Sequence, residues 1–195
     1  MAKISAFLHI SLDGVTQAPG RPGEDDRGNF SYGGWAGPYF DEVMAGRTAP
    51  GASAAPDLLF GRRTYLDFFS VWPHRSNNPF TDLLNRTPKY VLSSTLGPQL
   101  PWQNSTLLTD LGAVRELRAS HGSDLVVLGS VRLVQSLIAE GLVDHLLLNI
   151  FPVVLGPGAR LFDEASKFSQ WQLIEAVPTK TGVIMTTYRP AAPPS

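Results

Sequence analysis

Apolar and polar residues alternate from Lys3 to Ile10, with Ile4, Ala6, Leu8 and Ile10 on one face. That period predicts a half-buried strand. The alternation stops at an irregular stretch, residues 16 to 37, rich in Gly and Pro, with an acidic cluster at Glu24 to Asp26 and aromatics at its end. A loop of this length inside a compact domain reads as either disordered or a functional lid. A second stretch of mostly small residues, Gly46 to Pro56, reads as a tolerated insertion.

From Asp57 the period changes repeatedly between strand and helix. "DLLF" predicts a short strand, and Tyr65, Phe68, Phe69 and Trp72 then fall on one helical face. "KYVLSS" predicts the next strand, followed by a helix capped by Thr109 or Asp110 and carrying Leu111, Val114 and Leu117. "DLVVL" leads into a helix that runs to Glu140 and stops at Gly141, and "VDHLLLNIFPVVL" reads as one long strand. Strands alternating with helices predict an α/β fold with a largely parallel sheet and helices on its faces. "WQLIEAV" and "GVIMTTY", joined by "PTKT", predict an antiparallel hairpin that completes the sheet. The expected organisation is one domain over residues 1–189 and a frayed tail over 190–195.

Composition narrows the partners. The chain has 195 residues and a formal net charge of -1, so it lacks the basic field of a nucleic-acid binder, and no apolar run reaches membrane-spanning length. Cysteine is absent, which removes disulfides, thiol nucleophiles and thiolate metal sites and suits a cytoplasmic protein. The four histidines are scattered, so no metal site is expected; His9 and His145, in strand patterns, read as hydrogen-bonded sheet residues.

The candidate chemistry lies where strands end. "VVLGS" at Val126 to Ser130 is echoed as "VVLGP" at Val153 to Pro157. Ser130 can cap the helix marked by Leu133, Val134, Leu137 and Ile138, so Gly129 stands between a strand and a helix N-terminus, a place suited to phosphate. Pro157 cannot begin such a helix, so the second copy is a turn. "LLFGRRT" repeats the strand-Gly-helix arrangement at Gly61 and adds Arg62, Arg63 and Thr64. Ser93, Ser94 and Thr95 place three hydroxyls past another strand end. Any one such junction is also what a plain tight turn looks like.

Taken together, "SLDG", "GRRTYLDF", "PKYVLSSTL", "LVVLGSVRLVQSLIAEGLVDHLLLNIFPVVLGPGARLF" and the final hairpin resemble the dihydrofolate reductase superfamily. The resemblance is greater still to the reductase domain at the C-terminus of the bifunctional riboflavin-biosynthesis deaminase/reductase, and covers Lys3 to Arg189. It implies a three-layer fold, an NADPH-dependent reductase, a small-molecule substrate and a homodimer; the long apolar strand from Leu146 to Leu155 could itself pair across a two-fold axis. It implies that Gly61, Arg62 and Thr64 hold cofactor phosphate and that Ser93, Ser94 and Thr95 meet the adenosine side. Gly129, Ser130, Val131 and Arg132 would cradle the pyrophosphate. Asp13 and Gly14 would begin a mobile loop whose Phe30, Tyr32 and Trp35 stack on the substrate.

Two departures qualify the likeness. The zinc deaminase half is absent, and no acidic residue aligns with the one dihydrofolate reductases place beside the pterin. Asp13, Tyr39, Asp41, Glu42 or water are the candidate proton donors, and Asp13 can equally be a turn stabiliser. The competing readings are a non-catalytic nucleotide- or metabolite-binding module and a reductase with another hydride carrier.

Overall fold

The computed structural model describes residues 1–46 and 56–191. Most of the Gly46 to Pro56 stretch and the end of the tail lie outside them. Eight strands, β1 (Ile4–Ser11), β2 (Asp57–Gly61), β3 (Lys89–Leu92), β4 (Ser105–Leu108), β5 (Leu125–Leu128), β6 (His145–Phe151), β7 (Trp171–Pro178) and β8 (Ile184–Pro190), form one sheet in the order β4-β3-β2-β5-β1-β6-β8-β7. The first six are mutually parallel, and β8 runs against both β6 and β7. The expected C-terminal antiparallel hairpin is therefore present.

Helices cover both faces. β1 turns Ile4, Ala6, Leu8 and Ile10 into a core shared with α4 (Leu111–Ser120) and α5 (Val131–Ala139) through Val114, Leu133, Val134 and Leu137. On the opposite face Phe60, Val91 and Val126 pack with Tyr65 and Leu84 of α2 (Arg62–Val71) and α3 (Pro79–Arg86). A third apolar cluster lies under the irregular N-terminal segment and joins Val15, Phe30, Trp35 and Met44 of α1 (Glu42–Gly46) to Phe151 and Val183. Among the described residues no helix is long and apolar enough to cross a membrane.

Some elements differ from the expectation. The long strand ends at Phe151, because Pro152 has no N–H to continue the ladder. β6 also has both edges taken, by β1 and β8, so it has no edge to offer a second copy across a two-fold axis. α3 and β4 were not foreseen, although Asn78 followed by Pro79 is a sound helix start, and the Asn78 side chain accepts from Phe80 and Thr81 N–H.

Candidate active site

β5 stops at Leu128, opposite Phe7, whereas β6 follows β1 as far as Ser11. Beyond Phe7, β1 therefore has a strand on one side only, and the carboxyl ends of the middle strands open into a crevice of the kind where open α/β sheets bind ligands. Gly129 closes the ladder with an N–H to the Phe7 carbonyl (3.1 Å) and turns away at φ 63°, a left-handed conformation that glycine adopts readily. Val131 N–H returns to the Gly129 carbonyl at 3.0 Å across Ser130 (φ -82°, ψ 71°), an inverse γ-turn that launches α5.

Ser130 does not cap α5. Its hydroxyl, on a residue 4% exposed, accepts the Gly61 N–H from the neighbouring junction at 3.0 Å. The two glycine turns are thereby joined, and close packing continues: a Cβ at Gly61 would meet Leu133 Cβ at 3.6 Å, and one at Gly129 would meet Thr64 Cγ2 at 3.7 Å. So Gly61, Arg62, Thr64, Gly129, Ser130, Val131 and Arg132 are gathered at two adjacent helix starts. Neither α2 nor α5 has a side-chain cap, while α3 and α4 are capped by Asn78 and Asp110. The first-turn N–H groups of an α-helix lack intrahelical acceptors, and with the helix dipole they favour an anion.

Alongside lies an open cleft of about 370 Å³ lined by Arg62, Ser93, Ser94 and Thr95, together with Thr109, Asp110 and Leu111. Ser93 is buried and shapes its own loop, its hydroxyl accepting from Thr95 and Leu96 N–H at 3.1 Å each. Ser94 and Thr95 are exposed. From the sequence Asp110 is expected only to cap a helix. It does accept from Ala113 N–H at 2.9 Å, but it also brings a carboxylate into the cleft that holds Arg62.

The carboxylates considered as proton donors are engaged. Asp13 accepts from the Ser11 hydroxyl (2.7 Å), Leu155 N–H (3.1 Å) and Gly156 N–H (2.8 Å), and Arg160 bonds its carbonyl. Partial burial pushes its pKa up, but the hydrogen bonds outweigh that and hold it at about 2. The second "VVLGP" word is thus a turn docked onto Asp13. Gly14 sits at φ 84° and accepts from Leu161 N–H. Asp41 accepts from Met44 and Val43 N–H at the start of α1 and from Lys180 N–H in the β7–β8 turn, bonds that lower its pKa. Glu42 pairs with Lys180, and Tyr39 stands edge-on to Phe151.

The Gly/Pro-rich segment is built rather than loose. The Gln17 amide donates to the Asp25 and Arg27 carbonyls and accepts from Ala159 N–H, Trp35 Nε1 donates to the Gln17 carbonyl at 2.7 Å, and Arg21 pairs with Asp67 of α2. Phe30 (5% exposed) and Trp35 (8%) are therefore core residues with no free ring face; Tyr32, 50% exposed, is the one of the three whose ring is open to solvent. His9 also differs from expectation. Its Nδ1 is buried with no hydrogen-bond partner, and burial lowers its pKa to about 4. A titratable residue within a strand, four positions before Asp13, was the available signal.

Known proteins share this architecture. Over residues 2–185 the chain matches the model of the RibD C-terminal domain. It is 28% identical over 139 residues to the uncharacterised protein YyaP of Bacillus subtilis (strain 168), covering 67% of this chain and 72% of that one. Among solved structures, a protein of Shewanella sp. PV-4 assigned to riboflavin biosynthesis superposes with a TM-score of 0.71 at 22% identity, covering 98% of this chain and 100% of that one. A pyrimidine reductase-like protein of Corynebacterium diphtheriae gives 0.65 at 15% identity, with 98% and 93% covered. Dihydrofolate reductase of Enterococcus faecalis, complexed with NADP(H) and RAB-propyl, gives 0.64 at 15% identity, with 97% of each chain covered. The fold and the near-complete family match agree with the crevice just described: the fold is like that of dihydrofolate reductase, and the chain belongs to the RibD C-terminal domain family.

Proposed function

We propose that the protein is an NADPH-dependent reductase that passes a hydride to a small planar substrate. The observation that carries this reading is the pair of uncapped helix starts joined by the Ser130 to Gly61 hydrogen bond, set beside two helices whose starts are capped. N–H groups of both first turns suit a pyrophosphate, and Arg62 with Ser94 and Thr95 suits a ribose phosphate in the adjoining cleft. A bound dihydronicotinamide supplies the hydride, and this chain supplies orientation and exclusion of water. Asp13 and Asp41, held below the ordinary carboxylate range, carry no proton to give near neutrality, which leaves water, the Tyr39 hydroxyl or Glu42 as the source.

Calorimetric titration with NADPH and, separately, NADH tests the reading. NADPH is expected to bind at least about ten-fold more tightly. Arg62→Ala is expected to weaken NADPH by about ten-fold, or about 1.4 kcal/mol, and NADH by less than about two-fold. Binding of neither nucleotide removes the reductase reading and leaves a metabolite-binding module on the same fold.

A further inference from the structure

β1 and β6 run side by side in register, and His9 lies opposite Asn149. Parallel neighbours in register turn their side chains to the same face, about 4.8 Å apart at the backbone. Both residues sit on the part of β1 and β6 that extends past the end of β5, on the face opposite the large core, because Leu8, Ile10, Leu148 and Ile150 take the other face. Both are polar, and neither side chain has a hydrogen-bond partner among the described residues. His9 Nδ1 is fully buried and bare, whereas the Asn149 amide, on a residue 4% exposed, makes no bond but is not itself a fully buried unpaired group.

The surroundings are aromatic. The imidazole meets the rings of Phe151, Phe7 and Phe40 edge-on, with centroids at 5.2, 5.3 and 5.6 Å. Two of these rings belong to the strands themselves. Phe40 comes from the segment before α1 and is 52% exposed, so it is the wall most open to solvent, while Phe7 is partly buried and Phe151 fully so. Buried polar groups in native proteins nearly always have partners, and an exception calls for an explanation such as a ligand. An apolar box with a few convergent polar groups is also the usual composition of a small-molecule site.

We propose that His9 and Asn149 donate hydrogen bonds to the oxygen of a carbonyl group in the substrate, which makes that substrate an uncharged planar ketone, enone or quinone walled by Phe7, Phe40 and Phe151. The assignment rests on the reductase reading for the source of hydride. The carbonyl carbon gains hydride from the NADPH carrier, which leaves oxidised; the C–O π pair moves onto oxygen between the two donors, and a proton from water completes the alcohol. Two neutral N–H donors aimed at the oxygen stabilise the charge developing there. An uncharged imidazole serves as such a donor without transferring its proton, and burial keeps His9 in that form near neutrality. The carboxylates of Asp13 and Asp41, already engaged by N–H groups, could not take this part.

Calorimetry with 1-indanone and 1,4-naphthoquinone, against indane as the shape-matched probe without a carbonyl, decides the matter; the chain has no cysteine to trap the quinone. Expected are binding of the carbonyl probes at least about ten-fold tighter than indane, and a loss of about ten-fold in His9→Phe and in Asn149→Leu. NADPH affinity should stay within about two-fold in both variants. His9→Gln, which keeps an N–H donor, should retain more affinity than His9→Phe. His9→Phe should also melt about 2–4 °C higher, since it removes a bare buried polar atom. The proposal is overturned if neither carbonyl probe binds the natural chain, if indane binds equally, or if the variants bind the carbonyl probes unchanged. Failure of NADPH to bind the natural chain is a separate result and overturns the reductase reading.

Discussion

Aspartate 110 shows how one side chain can serve two demands. Its Oδ1 accepts from Ala113 N–H and so starts α4, and the same carboxylate lines the cleft with Arg62. An acid beside a ribose favours a free 2'-hydroxyl, whereas an arginine favours a 2'-phosphate, so the cleft holds two groups with opposite preferences. Asparagine caps a helix about as well as aspartate. Asp110→Asn is therefore expected to leave the melting temperature within about 2 °C while raising NADPH affinity about three- to ten-fold and changing NADH little, which paired calorimetric titrations of the variant and the natural chain would show. At this scale the sequence was informative where glycine was needed. Gly61 and Gly129 stood out because a strand and a helix meet there, and both were found in the crevice. It was uninformative about direction: nothing in "VVLGS" says that the Ser130 hydroxyl turns to Gly61 rather than to its own helix, since that depends on β2 and β5 being neighbours.

Elements with a clear period were legible, as with β1, α2 and the final hairpin. Four-residue β4 was not, because a single turn of alternation carries too little signal. The N-terminal irregular segment shows why lack of periodicity is a poor guide to looseness. Its order comes from single long-range bonds, with Gln17 tied to both Asp25 and Arg27 and to Ala159 far along the chain. Gln17→Leu removes partners from three backbone groups at once. It is expected to lower stability by about 2 kcal/mol in urea denaturation, and to speed proteolytic cleavage between residues 20 and 30 well ahead of cleavage elsewhere. Two of the three aromatics lose a stacking role for the same reason: once this segment folds as a unit, Phe30 and Trp35 become its core.

For the whole molecule, His9, Asp13 and Lys89 are among the perturbed groups that shape the response to pH. His9 has a folded pKa of about 4 against an ordinary 6.5, so the unfolded chain binds the extra proton and stability falls as pH drops from 6.5 to 4. Asp13, at about 2 against 3.8, contributes stability that is complete above 3.8 and lost as pH falls through 2. Lys89 is buried, and desolvation lowers it to about 8 from 10.5, so stability rises with pH across that interval. Comparing urea denaturation at pH 7.5 and pH 5 should show a loss of about 2 kcal/mol in the natural chain that is absent from His9→Phe. The bonds at Asp13 bear also on how the molecule is made. They join positions 142 and 143 residues apart, and β6, one wall of the crevice, pairs with β1 over a similar span. During synthesis the first strand must therefore wait, its end unpartnered, until most of the chain has left the ribosome. A product cut short before β6 keeps the Gly61 and Gly129 turns but lacks that wall of the crevice.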